Sequence, residues 1–420
     1  MNETKFGKIV KKLYDRINSQ DFLESSRMKE SDFTRNRKLS FSDLMVFIMS
    51  STKKSLQAAL FAFTNSAKYE FGTYTKQAFS KARKKINPSA FLALLKESVE
   101  LFYEDGDYKL YKGYRVCAID GTKYNMPNSK EMKEIFGFQE STNQQNQALG
   151  SCLYDVLNGI IIDAQLTPVN SSERELAKRH VQELVRISRD KELLLMDRGY
   201  PSAALLQFME QQGVYYLMRS SNEFSIGMKT AGDDCIINHK FSRGKGTVKL
   251  RVVRVTLENG ETEILLTNIF DKKLTSVDFK ELYHLRWNIE EKYDDLKNKL
   301  EIENFSGTGY IAVLQEYYAT MFLNNVATSI AYDCNEEIQQ LCKDKELKYQ
   351  YKTNISTTIS ILKFSLIEMF IVKSQRKRER IMQNIYHQLL ISVTPIRTNR
   401  SYERVKKHKC QKYSQNRRPL

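Results

Sequence analysis

A mixed α/β architecture is predicted, a sheet flanked by helices with a helical N-terminal domain and a β-rich insertion. Three observations carry this expectation. Apolar residues recur at helical spacing up to about residue 105, the period shortens to that of strands from about 110, and turn signals separate alternating segments between 221 and 275. At 420 residues the chain can form two or three domains with a real core. A composition of 41% hydrophobic and 28% charged residues, with 17 glycines and 6 prolines, excludes disordered, collagen-like and low-complexity classes.

The helical part has two clear signatures. Ser40 precedes FSDLMVFIMS, and Asp43 three places on completes a capping-box pattern in which Asp replaces the usual Glu or Gln. The segment TKQAFSKARKKI puts Ala78, Phe79, Ala82 and Ile86 on one side of a helix, with Lys81, Arg83, Lys84 and Lys85 around it. Asn87-Pro88 ends it. Its basic surface suits either DNA docking or simple solvation.

Strands follow. YRVCAID, from Tyr114 to Asp120, closes on an aspartate, and residues 148–157 and 159–169 pair around the hairpin dipeptide Asn158-Gly159. Ser171-Ser172 caps the helix SERELAKRHVQELVRIS. LLLMD, ending at Asp197, reads as a buried strand, followed by Arg198-Gly199-Tyr200-Pro201, a helix to about Gln212 and the strand VYYLMR. The insertion contains VKLRVVRVTL, an Asn259-Gly260 turn and TEILLTN. Helix resumes at Ser276 through Leu300, and further helices fill 311–395. The last residues are basic: Arg397, Arg400, Arg404, Lys406, Lys407, Lys409, Lys412, Arg417 and Arg418 face one acid, Glu403.

The 66 Lys+Arg against 50 Asp+Glu give a net charge of +16, which favours a polyanionic partner. The six cysteines form no CxxC and the five histidines are scattered, so no structural-zinc spacing exists. The N-terminus lacks a signal-peptide apolar core, and no stretch approaches the roughly 20 apolar residues that cross a bilayer. The expectation is a cytoplasmic protein with free thiols and no membrane partner. Neither a nucleophile-elbow GxSxG nor a Walker-type phosphate loop occurs.

Asp120 and Asp197 each follow a hydrophobic strand. Either alone reads as a turn former, but on adjacent strands the two carboxylates would repel, a conflict that a divalent cation removes. All-oxygen ligands favour Mg²⁺ or Mn²⁺. In the predicted helix ELYHLRWNIEEKYDDLKNKL, Tyr283, Arg286, Glu290 and Lys297 fall near whole turns and so share one face. Glu290 could complete a carboxylate site while the cations meet phosphates. Trp287, the single tryptophan, lies off that stripe and is read as a core residue.

The spacing Tyr-x2-Arg-x3-Glu-x6-Lys at Tyr283, Arg286, Glu290 and Lys297 resembles the Y-R-E-K signature of the IS-four family of bacterial insertion-sequence transposases. IDGT at residues 119–122 resembles the family's first-aspartate motif and MDRGYPS at 196–202 its second, and TKQAFSKARKKI resembles the segment before the catalytic domain. The resemblance covers most of residues 30–330. It implies a ribonuclease-H-like core with a catalytic, metal-binding triad of Asp120, Asp197 and Glu290, holding two Mg²⁺ or Mn²⁺ ions. It also implies that Tyr283, Arg286 and Lys297 contact DNA, and that double-stranded DNA, as transposon terminal inverted repeats and as target, is the partner of a homodimer in a synaptic complex. The implied division is a helical DNA-binding domain over 1–105, the first part of the core over 106–220, the β-rich insertion over 221–275, the Y-R-E-K helix over 276–310, a helical region over 311–395 and a basic tail over 396–420. A nuclease on the same fold, and a catalytically inactive DNA-binding descendant, are the alternative readings.

Overall fold

The computed structural model describes residues 4–35, 39–50, 55–66, 74–139, 145–221, 223–224, 232–240, 246–257, 260–343 and 345–396. The basic tail and the Asn259 position of the predicted turn lie outside these residues. The chain divides into two compact units, one of residues 1–107, 124–148 and 295–420, the other of residues 108–123 and 149–294.

The second unit is built on the greater part of an eight-stranded sheet: β1 (Tyr114–Asn125), β2 (Gln147–Asp155), β3 (Ile161–Pro168), β4 (Lys191–Met196), β5 (Tyr215–Ser220), β6 (Asp234–Lys240), β7 (Thr247–Thr256) and β8 (Thr262–Thr267). Their order is β3-β2-β1-β4-β5-β8-β7-β6. The β2–β3 turn is closed by Gly159 at φ +76°, a conformation that suits glycine, so the Asn158-Gly159 reading holds. Val156 donates its N–H to Val116 and Met126 to Asn146, so partner numbers fall along β1 and the β1–β2 pair is antiparallel.

β4 runs parallel to β1, and β5 parallel to β4. Parallel neighbours need crossovers, and the helices Glu173–Arg186 and Ala203–Gln211 supply them. β4 is apolar from Leu193 to Met196, as strands covered on both faces are. The order 3-2-1-4-5 with these directions is that of the expected ribonuclease-H-like core.

One reading needs correction. β1 does not end at Asp120. It continues through Asn125, with Gly121 an extended strand residue and Tyr124 buried. The strands of the predicted β-rich insertion extend the same sheet, since β8 pairs antiparallel with β5 and carries β7 and β6 outward.

The first unit is helical, apart from a two-stranded pairing of 351–353 with 393–395. Helices Lys5–Ile17 and Ser89–Tyr103 pack with the 33-residue helix Tyr310–Cys342, which is buried along most of its length. Helix Phe41–Ser50 starts with the predicted reciprocal cap. The Ser40 N–H donates to Asp43 Oδ2, and the Asp43 N–H to Ser40 Oγ. The helix from Thr75 ends at Arg83, and Arg83 corrects the reading of a purely basic surface. Its guanidinium is buried, donating to Gln315, Ser306 and Glu316 at 2.9–3.0 Å.

Candidate active site

The parallel pairing of β1 with β4 stops at Ala118↔Leu195, two residues short of Asp120 and Asp197. Both aspartates therefore sit at equivalent register, side by side at the C-terminal end of the parallel pair, where open α/β sheets form their crevices. Each carboxylate is steered by a nearby glycine N–H. Gly121 donates to Asp120 Oδ1 and Gly199 to Asp197 Oδ1, both at 2.8 Å. A Cβ at Gly199 would come within 3.1 Å of Asp197 Oδ1, so the glycine after Arg198 gives that carboxylate room.

Glu290 comes from the helix Trp287–Asp294. That helix is not the continuous one predicted. Helix Ser276–His284 ends, three-residue bonds Arg286→Tyr283, Asn288→Leu285 and Ile289→Arg286 replace the α pattern, and a π-helical turn spans Asp295–Lys299. The single stripe through Lys297 is thereby broken. Lys297 belongs to the first unit, its ammonium 5.0 Å from the centre of the Tyr124 ring.

In the second unit Arg286 is buried and donates from Nη2 to Glu290 Oε1 at 2.9 Å, with Nη1 3.9 Å from Asp120 Oδ2. Its Nε has no hydrogen-bond partner. The guanidinium thus stands as counter-charge to two of the three carboxylates. It also lies 4.8 Å from the Trp287 ring and 5.8 Å from Tyr283. Tyr283 is buried, its phenol pushed up to about 12, mainly by burial. Trp287 is not the core residue expected: the break before its helix leaves it 44% exposed beside Arg286.

Electrostatics mark the site. Burial pushes the Asp120 carboxyl up to about 7, and the Asp197 and Glu290 carboxylates add to the rise. The Gly121 N–H and Arg286 oppose it. A dication would relieve this repulsion, and carboxylates are the right donors for a hard ion. Among the described residues no three acidic, histidine or cysteine side chains are already closed round a common point for an ion. The donors fit in kind, and Arg286 meanwhile supplies positive charge.

Three groups missed in the sequence also belong here. Tyr293, one turn beyond Glu290, donates to the Asp120 carbonyl at 2.5 Å and accepts the Cys152 N–H at 3.0 Å, tying the glutamate's helix to the aspartate's strand. Beneath the strand, buried His180 bridges Asp163 at 2.8 Å and Ser151 at 3.0 Å, and Ser151 Oγ donates to the same Asp120 carbonyl at 3.3 Å. Being wholly buried, this Asp–His–Ser chain braces the strand. The third is Glu173, whose carboxyl is raised by partial burial and by the charge of Asp197, with Lys123 opposing.

A ribonuclease-H-like sheet with two aspartates at the end of its parallel strands and a glutamate on a following helix defines a class of carboxylate-site α/β proteins. Residues 111–325 match the family described as "Transposase DDE domain", and the chain belongs to that family. It is also 25% identical, over 242 residues, to "Transposase InsG for insertion sequence element IS4" of Escherichia coli (strain K12), with 53% of each chain covered. The chain thus spans about half the length of this curated relative. Among solved structures it is similar to a piggyBac transposase synaptic complex with hairpin DNA, at 9% identity and a TM-score of 0.47, covering 90% of this chain and 85% of that one. Among the described residues no helix is long and apolar enough to cross a membrane.

Proposed function

We propose that this protein is a DNA transposase that cleaves the ends of its insertion sequence and joins the freed 3′-hydroxyls to target DNA by metal-dependent phosphoryl transfer. The observation that supports the reading is the placement of Asp120 and Glu290 about Arg286, with Asp197 at the register of Asp120 on the neighbouring strand, in one unit of a transposase-family chain. Asp120, Asp197 and Glu290 are the residues that would hold Mg²⁺ or Mn²⁺. When bound, two such ions would ready a water or 3′-hydroxyl and stabilise the leaving oxygen.

The chain's own groups do the positioning. Tyr293 and Ser151 fix the Asp120 carbonyl, and so the strand that presents its carboxylate. Arg286 holds Glu290, and its planar fork would suit a phosphate oxygen pair. Lys297 would add a point charge on DNA, Tyr283 would support the Arg286 fork, and exposed Trp287 would stack on a displaced base at the transposon end. The partner is double-stranded DNA, as terminal inverted repeats and as target. Two protomers would pair the two ends, in a cytoplasmic setting. The 1–105 helical region and the basic 396–420 tail would contribute to holding DNA, the residues of 106–220 and 276–310 the catalytic core, the 221–275 strands its lateral extension, and 311–395 its helical support.

The decisive experiment incubates purified protein with end DNA, target DNA and Mg²⁺. Asp120→Ala should lower cleavage by about 10³-fold or more, equivalent to about 4 kcal/mol of barrier, while end binding by gel shift is kept. An unchanged cleavage rate would overturn the triad. Cleavage without joined products would turn the reading toward a nuclease.

A further inference from the structure

We infer that Glu173 is a fourth acidic ligand of the cation site, acting beside Asp120 and Asp197 from the crossover helix that follows β3. The inference rests on the divalent-metal reading above.

Glu173 opens the helix Glu173–Arg186. At such a position a carboxylate ordinarily complements the helix dipole and faces solvent. The residue as a whole is exposed, yet its carboxylate turns in against β1. A Cβ on Gly121 would come within 2.7 Å of Glu173 Oε1 and 3.1 Å of its carboxyl carbon. Gly121 therefore leaves room for an acid immediately beside Asp120. Any side chain there would displace it.

The same helix end is locked to the second aspartate. Arg174, the next residue, donates from Nε and Nη2 to the Gly199 carbonyl at 2.9 and 2.7 Å. Gly199 in turn donates its N–H to Asp197 Oδ1. The helix start is thus fixed to the segment that carries Asp197. The Glu173 carboxyl is raised by partial burial of the acid group and by the Asp197 charge, against the opposing pull of Lys123.

A second, independent observation points to a missing ligand. Tyr200 is 1% exposed and its hydroxyl has no hydrogen-bond partner. Burial raises that phenol, and the carboxylates of Asp120, Glu173 and Asp197 raise it further while Arg286 opposes them. An orphaned buried hydroxyl among three acids is costly unless a cation, or water held by one, completes the cluster. Among the described residues no basic side chain is paired with Glu173 as Arg286 is with Glu290, apart from the electrostatic pull of Lys123.

The test uses the full chain and Mn²⁺ alone, with free Mn²⁺ followed by electron paramagnetic resonance. Glu173→Gln should weaken Mn²⁺ binding at least about tenfold, as loss of a ligand or its support does. Glu173→Asp, which keeps the charge, should lose less. Glu175→Gln is the control, because Glu175 pairs with Lys178 on the helix surface and should leave affinity unchanged. Circular dichroism and binding of a terminal-repeat duplex confirm that each variant is folded. If Asp197→Asn weakens Mn²⁺ binding and Glu173→Gln and Glu173→Asp do not, Glu173 is no ligand and the metal reading stands. If the wild-type protein binds no Mn²⁺, with or without the duplex, both readings fall together.

Discussion

The two ends of the β1–β4 pair carry the same chemistry with opposite outcomes. At the N-terminal end Arg115 and Glu192 form a buried two-pronged pair, Nε to Oε2 at 2.8 Å and Nη2 to Oε1 at 2.7 Å, and Ser188 Oγ adds a third bond to the carboxylate at 3.0 Å. At the C-terminal end Arg286 makes one hydrogen bond to Glu290, stands 3.9 Å from Asp120, and leaves Nε without a partner. One end spends its charge on holding two strands in register. The other keeps charge unspent. The difference lies in the carboxylates: Glu192 is engaged by Arg115 and Ser188, whereas Asp120 has the Gly121 N–H and a guanidinium 3.9 Å away, so the C-terminal end is where function is to be sought.

The first way to break this contrast is to cut each pair. Arg115→Met strands a buried Glu192 carboxylate and should cost about 3–5 kcal/mol of stability, whereas the Arg115→Met, Glu192→Met double variant should recover most of it. Arg286→Met faces partly solvated carboxylates and should cost about 1 kcal/mol or less. Urea denaturation in the presence of a chelator measures all three. Equal losses at the two ends would remove the distinction between a structural and a poised ion pair.

The poised end was only partly legible in the sequence. The aspartates stood out because each follows an apolar run, and Glu290 because of its spacing from Tyr283 and Arg286. The local geometry did not. No Gly or Pro flags the break at 285–286 or the π turn at 295–299, so a continuous helix was the natural reading, and with it a Trp287 in the core. Arg83 looked like a surface cation because its partner, Glu316, is remote in sequence. Glu173 resembled any helix-opening acid. Tertiary contacts of this kind leave no periodic trace. The sheet itself was readable because its strands are short apolar runs bounded by turn residues, although the reach of β1 past Asp120 was hidden by Gly121.

A smaller effect sharpens the contrast through pH. The Asp120 carboxyl is raised to about 7 in the folded, metal-free protein, against about 4 when unfolded. The native state therefore binds the proton more tightly, its contribution is intact below pH about 4, and stability is lost as pH climbs through about 7. Asp120→Asn removes that loss. In chelator at pH 8 it should raise stability by on the order of 2 kcal/mol, after allowing for screening at a partly exposed carboxyl, with little change at pH 4. Thermal melts at the two pH values read the difference. A variant no more stable than wild type at pH 8 would mean that the carboxylates at this end do not strain one another.

The smallest effect tests what joins the poised end to the rest of the sheet. Tyr293 Oη closes a bridge between the Asp120 carbonyl and the Cys152 N–H. Tyr293→Phe removes one atom and keeps the ring packing, so the cost is that of a buried carbonyl and N–H losing a shared partner, about 1–2 kcal/mol. If the bridge serves only folding, cleavage per folded molecule should be unchanged. If it holds the Glu290 helix in line with Asp120, kcat for end cleavage should fall about tenfold while end binding is retained, because a displacement of about 1 Å in a catalytic group is enough to cost that much. The Ser151 bond to the same carbonyl offers the matched comparison. Ser151→Ala should disturb the strand without touching the glutamate's helix, and so should affect stability more than turnover.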